Sequence, residues 1–360
     1  MTDRKMATIR RIDTIGPIEG ADAIEVATVG GWKVVVKKGD FAPGDLAVYC
    51  EIDSFIPTKI APFLTKPDHY PKVFEGVEGE RLRTVRLRGQ LSQGLLMPLT
   101  NIPGKPQVAT WMTENLGADL TELVGMDVSE YLGIKKYEAP IPAQLAGEVK
   151  GMFPGFIPKT DQERIQNLKA ELAEWQRLGY TFERTEKLDG TSMTVFMVDG
   201  VFSICSRNLE LKPNPDNSMF KAAADQNLME ILTLLNTLSP RNLALQGELI
   251  GNGIQSNKYK YIGQEFRVFD IYDIDAKKYF TPVERKEFVT ELNIKHVPVM
   301  ASAFSLVGLT IDDLLKMAEG KSVMGDITGP EREGDVYKCN EDPSISFKVI
   351  SNKFLMKNGD

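Results

Sequence analysis

From residue 6 to about residue 100 the chain alternates short apolar-rich runs with turn-forming clusters. Residues 7–12, 23–29, 32–37 and 46–52 read as strands, punctuated by Gly30-Gly31, Gly39-Asp40 and Pro43-Gly44-Asp45. Strands so short and evenly spaced predict a small all-β, OB-like barrel, an architecture that commonly binds nucleic acid. Barrels serve many purposes, so the fold alone assigns no function. Residues 106–133 lose the alternation and read as mostly helical.

A proline-rich stretch follows, with Ala139-Pro140-Ile141-Pro142 and Phe153-Pro154-Gly155-Phe156-Ile157-Pro158. Proline removes a backbone donor, so residues 139–159 are expected to be an irregular linker. Asp161 is then placed to cap an amphipathic helix reaching about Leu178, with Ile165, Leu168, Leu172 and Trp175 on one face. From Thr181 onward strand and helix patterns mix. The expected organisation is a barrel domain over 1–138, the linker, and an α+β domain over 160–360.

Composition narrows the chemistry. At 360 residues, 42% hydrophobic and 26% charged, the chain suits two ordinary globular domains. No apolar run approaches the ~20 residues needed to span a bilayer, and MTDRKMATIRRI lacks a signal peptide's apolar core. Cys50, Cys205 and Cys339 share no metal or redox spacing, and His69 and His296 leave little room for a histidine-built centre. A reducing cytoplasm is the expected compartment. The net charge of −7 argues mildly against bulk nucleic-acid binding but allows a local basic track. One candidate is Arg81, Arg83, Arg86 and Arg88, read as a single strand with two arginines on each face. The alternative there is an edge strand guarded by charge.

The sharpest local feature is Glu186-Lys187-Leu188-Asp189-Gly190, between two strand-like stretches. Lysine is protonated in water and nucleophilic only when neighbouring cations, a metal ion or desolvation expose its lone pair. A glycine three residues later allows a tight turn beside a phosphate. Alone, Lys-x-Asp-Gly is also an ordinary hairpin turn. An ordered series downstream changes its weight: Ser206-Arg207-Asn208, Gly247-Glu248-Leu249-Ile250-Gly251, Phe266-Arg267-Val268-Phe269-Asp270, Glu333-Gly334-Asp335-Val336-Tyr337-Lys338 and Ser346-Phe347-Lys348. Together these hold a nucleophile, an aromatic platform, carboxylates for a cation and ribose, and ammonium groups for phosphates. Those are the parts that lysine nucleotidylation needs.

The series resembles motifs I, III, IIIa, IV and V of the covalent nucleotidyltransferases, the family of ATP-dependent ligases and mRNA capping enzymes. Within it the chain is most similar to RNA ligases of the Deinococcus and Naegleria nick-sealing type. The likeness includes the front barrel, Lys135-Lys136-Tyr137-Glu138 at the linker start, and residues 158–167. The resemblance implies attack by Lys187 on the ATP α-phosphate, an adenine-edge contact from the Glu186 backbone, and Phe269 stacked on adenine. It also implies that Arg207 holds ribose or phosphate and Glu248 the ribose hydroxyls. Glu333 and Asp189 would orient Mg²⁺ or Mn²⁺, Lys338 and Lys348 would reach the α-phosphate, and Arg164 would contact the pyrophosphate. One position departs from the pattern: relatives often carry a second motif-V lysine where this chain has Ile350, leaving Lys353 or another cation to serve.

The sequence runs six residues past Phe354, so the C-terminal OB domain of many DNA ligases and capping enzymes is not expected here. The expectation is an ATP-dependent RNA ligase joining 3′-OH and 5′-phosphate ends, at nicks in a duplex, with no membrane and no obligate protein partner. The alternatives are a GTP-using capping-type guanylyltransferase and a nucleic-acid-binding protein with an inactive ligase domain.

Overall fold

The computed structural model describes residues 4–99, 120–138, 147–324 and 329–358. The chain parts into two compact units between residues 140 and 141, with residues 355–360 going with the first.

The first unit is built from short antiparallel sheets. Leu46–Cys50 lies between Ala7–Arg11 and Leu95–Pro98, and Thr14–Pro17, Ile24–Val29 and Trp32–Lys37 form a meander. Their inward side chains, among them Ile9, Val48, Ile56 and Met97, close one core with Leu132 and Ile134. Lys135–Lys136 is not a linker start. It is a strand paired with Ser54–Pro57, and Tyr137 packs on Phe55 and Phe74 at ring distances of 6.2 and 5.1 Å. Part of the expected helix, residues 106–119, lies outside the described residues. After it come only a 3₁₀ turn, Leu120–Leu123, and one helical turn, Ser129–Leu132.

The arginine run is not one strand either. Val77–Arg81 and Thr84–Leu87 belong to different sheets, because buried Leu82 turns into the core between them. Arg81 bonds Asp53 at 2.8 Å and lies 5.2 Å from the Tyr137 ring centre, so it is committed to the fold. Arg83, Arg86 and Arg88 are exposed, the last in a two-residue hairpin turn with Gly89.

The second unit carries two sheets. The seven-stranded one runs Val149–Met152, Leu209–Leu211, Val201–Ser206, Thr191–Val198, Leu243–Gly251, Gln264–Asp273 and Lys278–Tyr279. Its first strand falls inside the expected linker, because residues 147–152 contain no proline and pair with Leu209–Leu211. The five-stranded sheet runs Glu163–Arg164, Ser346–Ile350, Gly334–Cys339, Thr181–Lys187 and Val299–Ser305.

The helix expected from Asp161 begins only at Lys169 and ends at Leu178. The residues before it are captured by parallel pairing with Phe347 and Lys348, then a 3₁₀ turn over Ile165–Asn167. The helix still buries the expected face: Trp175 stacks on Phe347 at 5.4 Å, and Phe347 on Tyr337 at 4.8 Å. That aromatic stack covers one face of the five-stranded sheet and leaves the other for charge.

Candidate active site

Strand register decides which residues meet. Lys187 pairs with Gly334, and Gly334 with Ile350. Glu183 pairs with Lys338, Val336 with Lys348, and Lys348 with Arg164. Directly paired side chains share a face and alternate residues return to it. Lys187, Lys338, Lys348, Arg164 and Ile350 therefore all lie on the face opposite the aromatic core.

Lys187 ends its strand, and Leu188-Asp189-Gly190 crosses to the seven-stranded sheet. Its ammonium lies 2.8 Å from Glu333, which stands just before the strand Gly334–Cys339. Burial works against the charge, but Glu333, Glu248 and Asp189 outweigh it and hold the Lys187 pKa above its ordinary value. The lowering expected from desolvation is thus outweighed here by the neighbouring acidic groups. Burial raises the Glu333 pKa, with Lys187 opposing, and pushes Glu248 up to about 8.

Gly190 serves a different purpose from the one expected. A Cβ there would come within 2.4 Å of the Leu249 carbonyl and 2.8 Å of the Glu248 side chain. Glycine is required by the close passage of Leu243–Gly251, which lets the Gly190 N–H donate to Glu248 at 3.1 Å. Asp189 is held twice, its N–H donating to the Tyr259 hydroxyl at 2.6 Å and its carboxylate meeting Lys258 at 2.5 Å.

Phe269 is the extra residue of a β-bulge: Gln246 pairs with Asp270 and Gly247 with Val268, so nothing opposes it. A bulge re-aims a side chain. Here it turns Phe269 into the apolar cluster of Leu188, Ile250, Tyr259 and Val297, beside the Lys187 loop. Arg164 is buried on the sheet face beside Lys348 rather than on a helix surface. Asp161 gathers two other expected phosphate ligands, Lys348 at 3.0 Å and exposed Arg207 at 3.4 Å.

Three assignments move. Lys338 is on the right face, but four residues along its strand from Lys187's partner, which is about 13 Å. There it is buried and ion-paired with Asp270, next to Glu183, Arg285 and His296. Arg285 bonds Glu183 and lies 3.6 Å from Asp270. Its Nε donates to His296 Nε2, so the neutral imidazole carries its proton on Nδ1, facing the Val297 carbonyl, and burial pushes its pKa down to about 3. Lys338 therefore belongs to a buried charge network, not to the Lys187 cluster. Lys353, offered as a substitute cation, is exposed and paired with Glu319 at 2.8 Å. The Glu186 N–H is already given to the Pro298 carbonyl, while its side chain points to the opposite face and accepts from Val323 N–H.

Sequence reasoning missed Lys258 and Tyr259 and gave Asp161 only a helix-capping role. Lys258 and Tyr259 follow the 3₁₀ turn Gln255–Asn257, and only the fold brings them to Asp189. Among the described residues no cluster of three or more Asp, Glu, His or Cys forms a ready metal cage. The oxygen donors of Asp189 and Glu333 nonetheless suit Mg²⁺ or Mn²⁺, which binds through one or two carboxylates plus substrate phosphates.

A lysine at a strand end, ringed by carboxylates, flanked by a bulge-presented aromatic and faced by buried cations, defines a covalent nucleotidyltransferase. Comparison with known proteins narrows this. An RNA ligase family model matches residues 181–350, and an OB-fold domain model matches residues 6–99. A solved Naegleria gruberi RNA ligase is 45% identical over all of both chains, with a TM-score of 0.85. The same enzyme with pyrophosphate matches at 45% identity, 99% of each chain and a TM-score of 0.84. A variant of it with ATP and manganese matches at 45% identity, 98% of this chain, 100% of that chain and a TM-score of 0.83. Comparison with curated protein sequences finds no match. This chain belongs to the RNA ligase family, with an OB-fold domain ahead of the nucleotidyltransferase domain.

Proposed function

We propose that the protein is an ATP-dependent RNA ligase that joins 3′-OH and 5′-phosphate ends, at nicks in a duplex, through an AMP carried on Lys187. Full-length similarity to a ligase solved with ATP and with manganese supports the reaction class. The observation that carries the residue assignment is Lys187 at 2.8 Å from Glu333, with Glu248 and Asp189 around it.

The Lys187 amine attacks the ATP α-phosphorus; the Nζ–P bond forms, the α–β P–O bond breaks, and pyrophosphate leaves. A 5′-phosphate oxygen then attacks the lysyl-AMP, breaking the P–N bond and giving an AMP-capped 5′ end. The 3′-OH attacks that 5′-phosphorus, the phosphodiester forms, and AMP is expelled. Lys187 and the 3′-OH each give up a proton to solvent or a neighbouring carboxylate on attack, the 5′-phosphate attacks as an oxyanion, and the Lys187 nitrogen regains a proton when the P–N bond breaks.

Phe269 would stack on adenine, Glu248 would hold the ribose, and Lys348, Arg164 and Arg207 would hold phosphates. A divalent cation at Glu333 and Asp189 would add positive charge at the α-phosphate and remove the counter-ions that keep Lys187 protonated. The exposed arginines of the OB-fold domain, Arg83, Arg86 and Arg88, would contact the RNA backbone. Incubation with ATP or GTP and Mg²⁺ or Mn²⁺, followed by intact-mass spectrometry, tests the reading. An AMP adduct that disappears in Lys187→Ala is expected. An adduct that survives that substitution, or one formed with GTP instead, refutes it.

A further inference from the structure

The chain carries Ile350, an aliphatic residue, in the same transverse row as Lys187 and Gly334, on the charged face of the sheet. A phosphate arriving at Lys187 meets no cation from that position. The structure brings one in from elsewhere.

Lys258 reaches Asp189, two residues past the nucleophile, at 2.5 Å. The same ammonium stands 4.5 Å from the ring centre of Phe354, four residues past Ile350. It thus occupies the space between the end of the Lys187 loop and the end of the Ile350 strand.

The loop that delivers it is built for the purpose. Gln255, Ser256 and Asn257 have φ of 40°, 62° and 45°, a left-handed run that side-chain-bearing residues adopt only when their surroundings enforce it. Asn257 enforces it: its amide donates to Asn252 Oδ1 at 2.8 Å and to the Tyr261 carbonyl at 2.9 Å, and its oxygen accepts from the Tyr261 N–H at 3.0 Å. The next residue is Lys258, and Tyr259 accepts the Asp189 N–H. Two consecutive residues of a pinned turn therefore grip one residue of the nucleophile loop.

We propose that Lys258 is a polyphosphate ligand of ATP, supplying the cation that the strand lacks at Ile350. When phosphate and a divalent cation enter, Asp189 turns to the cation and Lys258 exchanges its carboxylate partner for a phosphate oxygen. Lysine suits the exchange, since a flexible ammonium serves as a point charge rather than a fixed fork.

The proposal rests on reading this site as the ATP site, and the test separates the two. In full-length Lys187→Met, where no adduct forms, ATP and adenosine binding are measured by calorimetry with Mg²⁺, with and without Lys258→Met. Loss of one charge-assisted contact should weaken ATP by about 10- to 100-fold, leave adenosine unchanged, and be partly restored by Lys258→Arg. Thermal melting of each variant guards against misfolding; a low Tm for Lys258→Met passes the decision to Lys258→Gln, with the same readout. Unchanged ATP affinity, or equal loss for ATP and adenosine, would overturn the role of Lys258. A parent variant that binds neither ligand would overturn the site reading and this proposal with it.

Discussion

As the proposed nucleophile, Lys187 would face two demands, charged beside its acidic neighbours and uncharged in order to attack. The Glu333 carboxylate at 2.8 Å is the nearest reason for its charge. Lys187→Ala should abolish the AMP adduct by intact mass while leaving the melting curve nearly unchanged, because the side chain is half-buried at a strand end. Glu333→Ala and Lys348→Ala should each cut adenylylation by about 10²–10³-fold, the scale of removing one preorganised charge from a reacting centre. Stopped-time adduct yields measure this, and near-normal yields would remove both residues from the chemistry. Glu248 adds a pH signature. Burial pushes its pKa up to about 8, well above the ordinary glutamate value. The folded state therefore binds this proton more tightly than the unfolded chain does. Its stabilising effect is present at acid pH and is lost as pH rises toward and through about 8. Glu248→Gln should raise Tm relative to the parent more at pH 8.5 than at pH 5. An advantage independent of pH would contradict the burial argument.

Among the elements, the bulge in Gln264–Asp273 is the one the proposed adenine stacking depends on. It frees Phe269 from strand pairing and turns its ring toward Leu188 and Val297. Phe269→Ala should weaken ATP by at least the about 3- to 10-fold that an aromatic stack contributes, while Phe269→Trp retains binding. Equal affinities for the two variants would count against a stacking platform. The strand Gly334–Cys339 carries a second consequence. It presents Lys338 to buried Asp270 and Glu183 rather than to Lys187. Removing one member of a buried ion pair costs about 3–5 kcal/mol. Lys338→Met should therefore lower denaturant stability by that order yet leave ATP affinity of the folded protein near that of the parent. A stable variant that has lost adenylylation would restore Lys338 to the phosphate.

For the whole molecule, the proposed function would divide labour between the two units, chemistry in one and grip on the RNA in the other. Lys187, Glu248, Phe269 and Glu333 all fall within residues 141–354, while the exposed Arg83, Arg86 and Arg88 fall in the OB-fold domain. Each phosphate contact by a basic side chain contributes roughly one unit to the slope of log affinity against log salt. Arg83→Ala, Arg86→Ala and Arg88→Ala combined should leave adenylylation intact, slow sealing of a nicked duplex, and flatten the salt slope of RNA binding by up to about three units. Sealing and salt dependence both unchanged would return these arginines to guarding a sheet edge. Arg81 is left out of the set because Asp53 and Tyr137 hold it.

The motif order and the front barrel were legible in the sequence because they depend on local pattern: strand alternation, turn residues and short spacings. Partnerships between distant elements were not. Lys338 looked like a phosphate ligand because lysine is equally plausible beside phosphate or beside Asp270, and only strand register chose between them. Gly190 looked like a turn residue, whereas its need for glycine comes from Leu249, far along the chain. The Arg81–Arg88 run looked continuous because alternation does not reveal that buried Leu82 sends its flanks to different sheets. Lys258 carried no signal at all, since its meaning lies in a contact with Asp189 across 69 residues that only the folded chain creates. A linear pattern records each residue's chemistry and periodicity. Charge partners, close approaches and pKa are properties of neighbours in space, and those the tertiary structure alone decides.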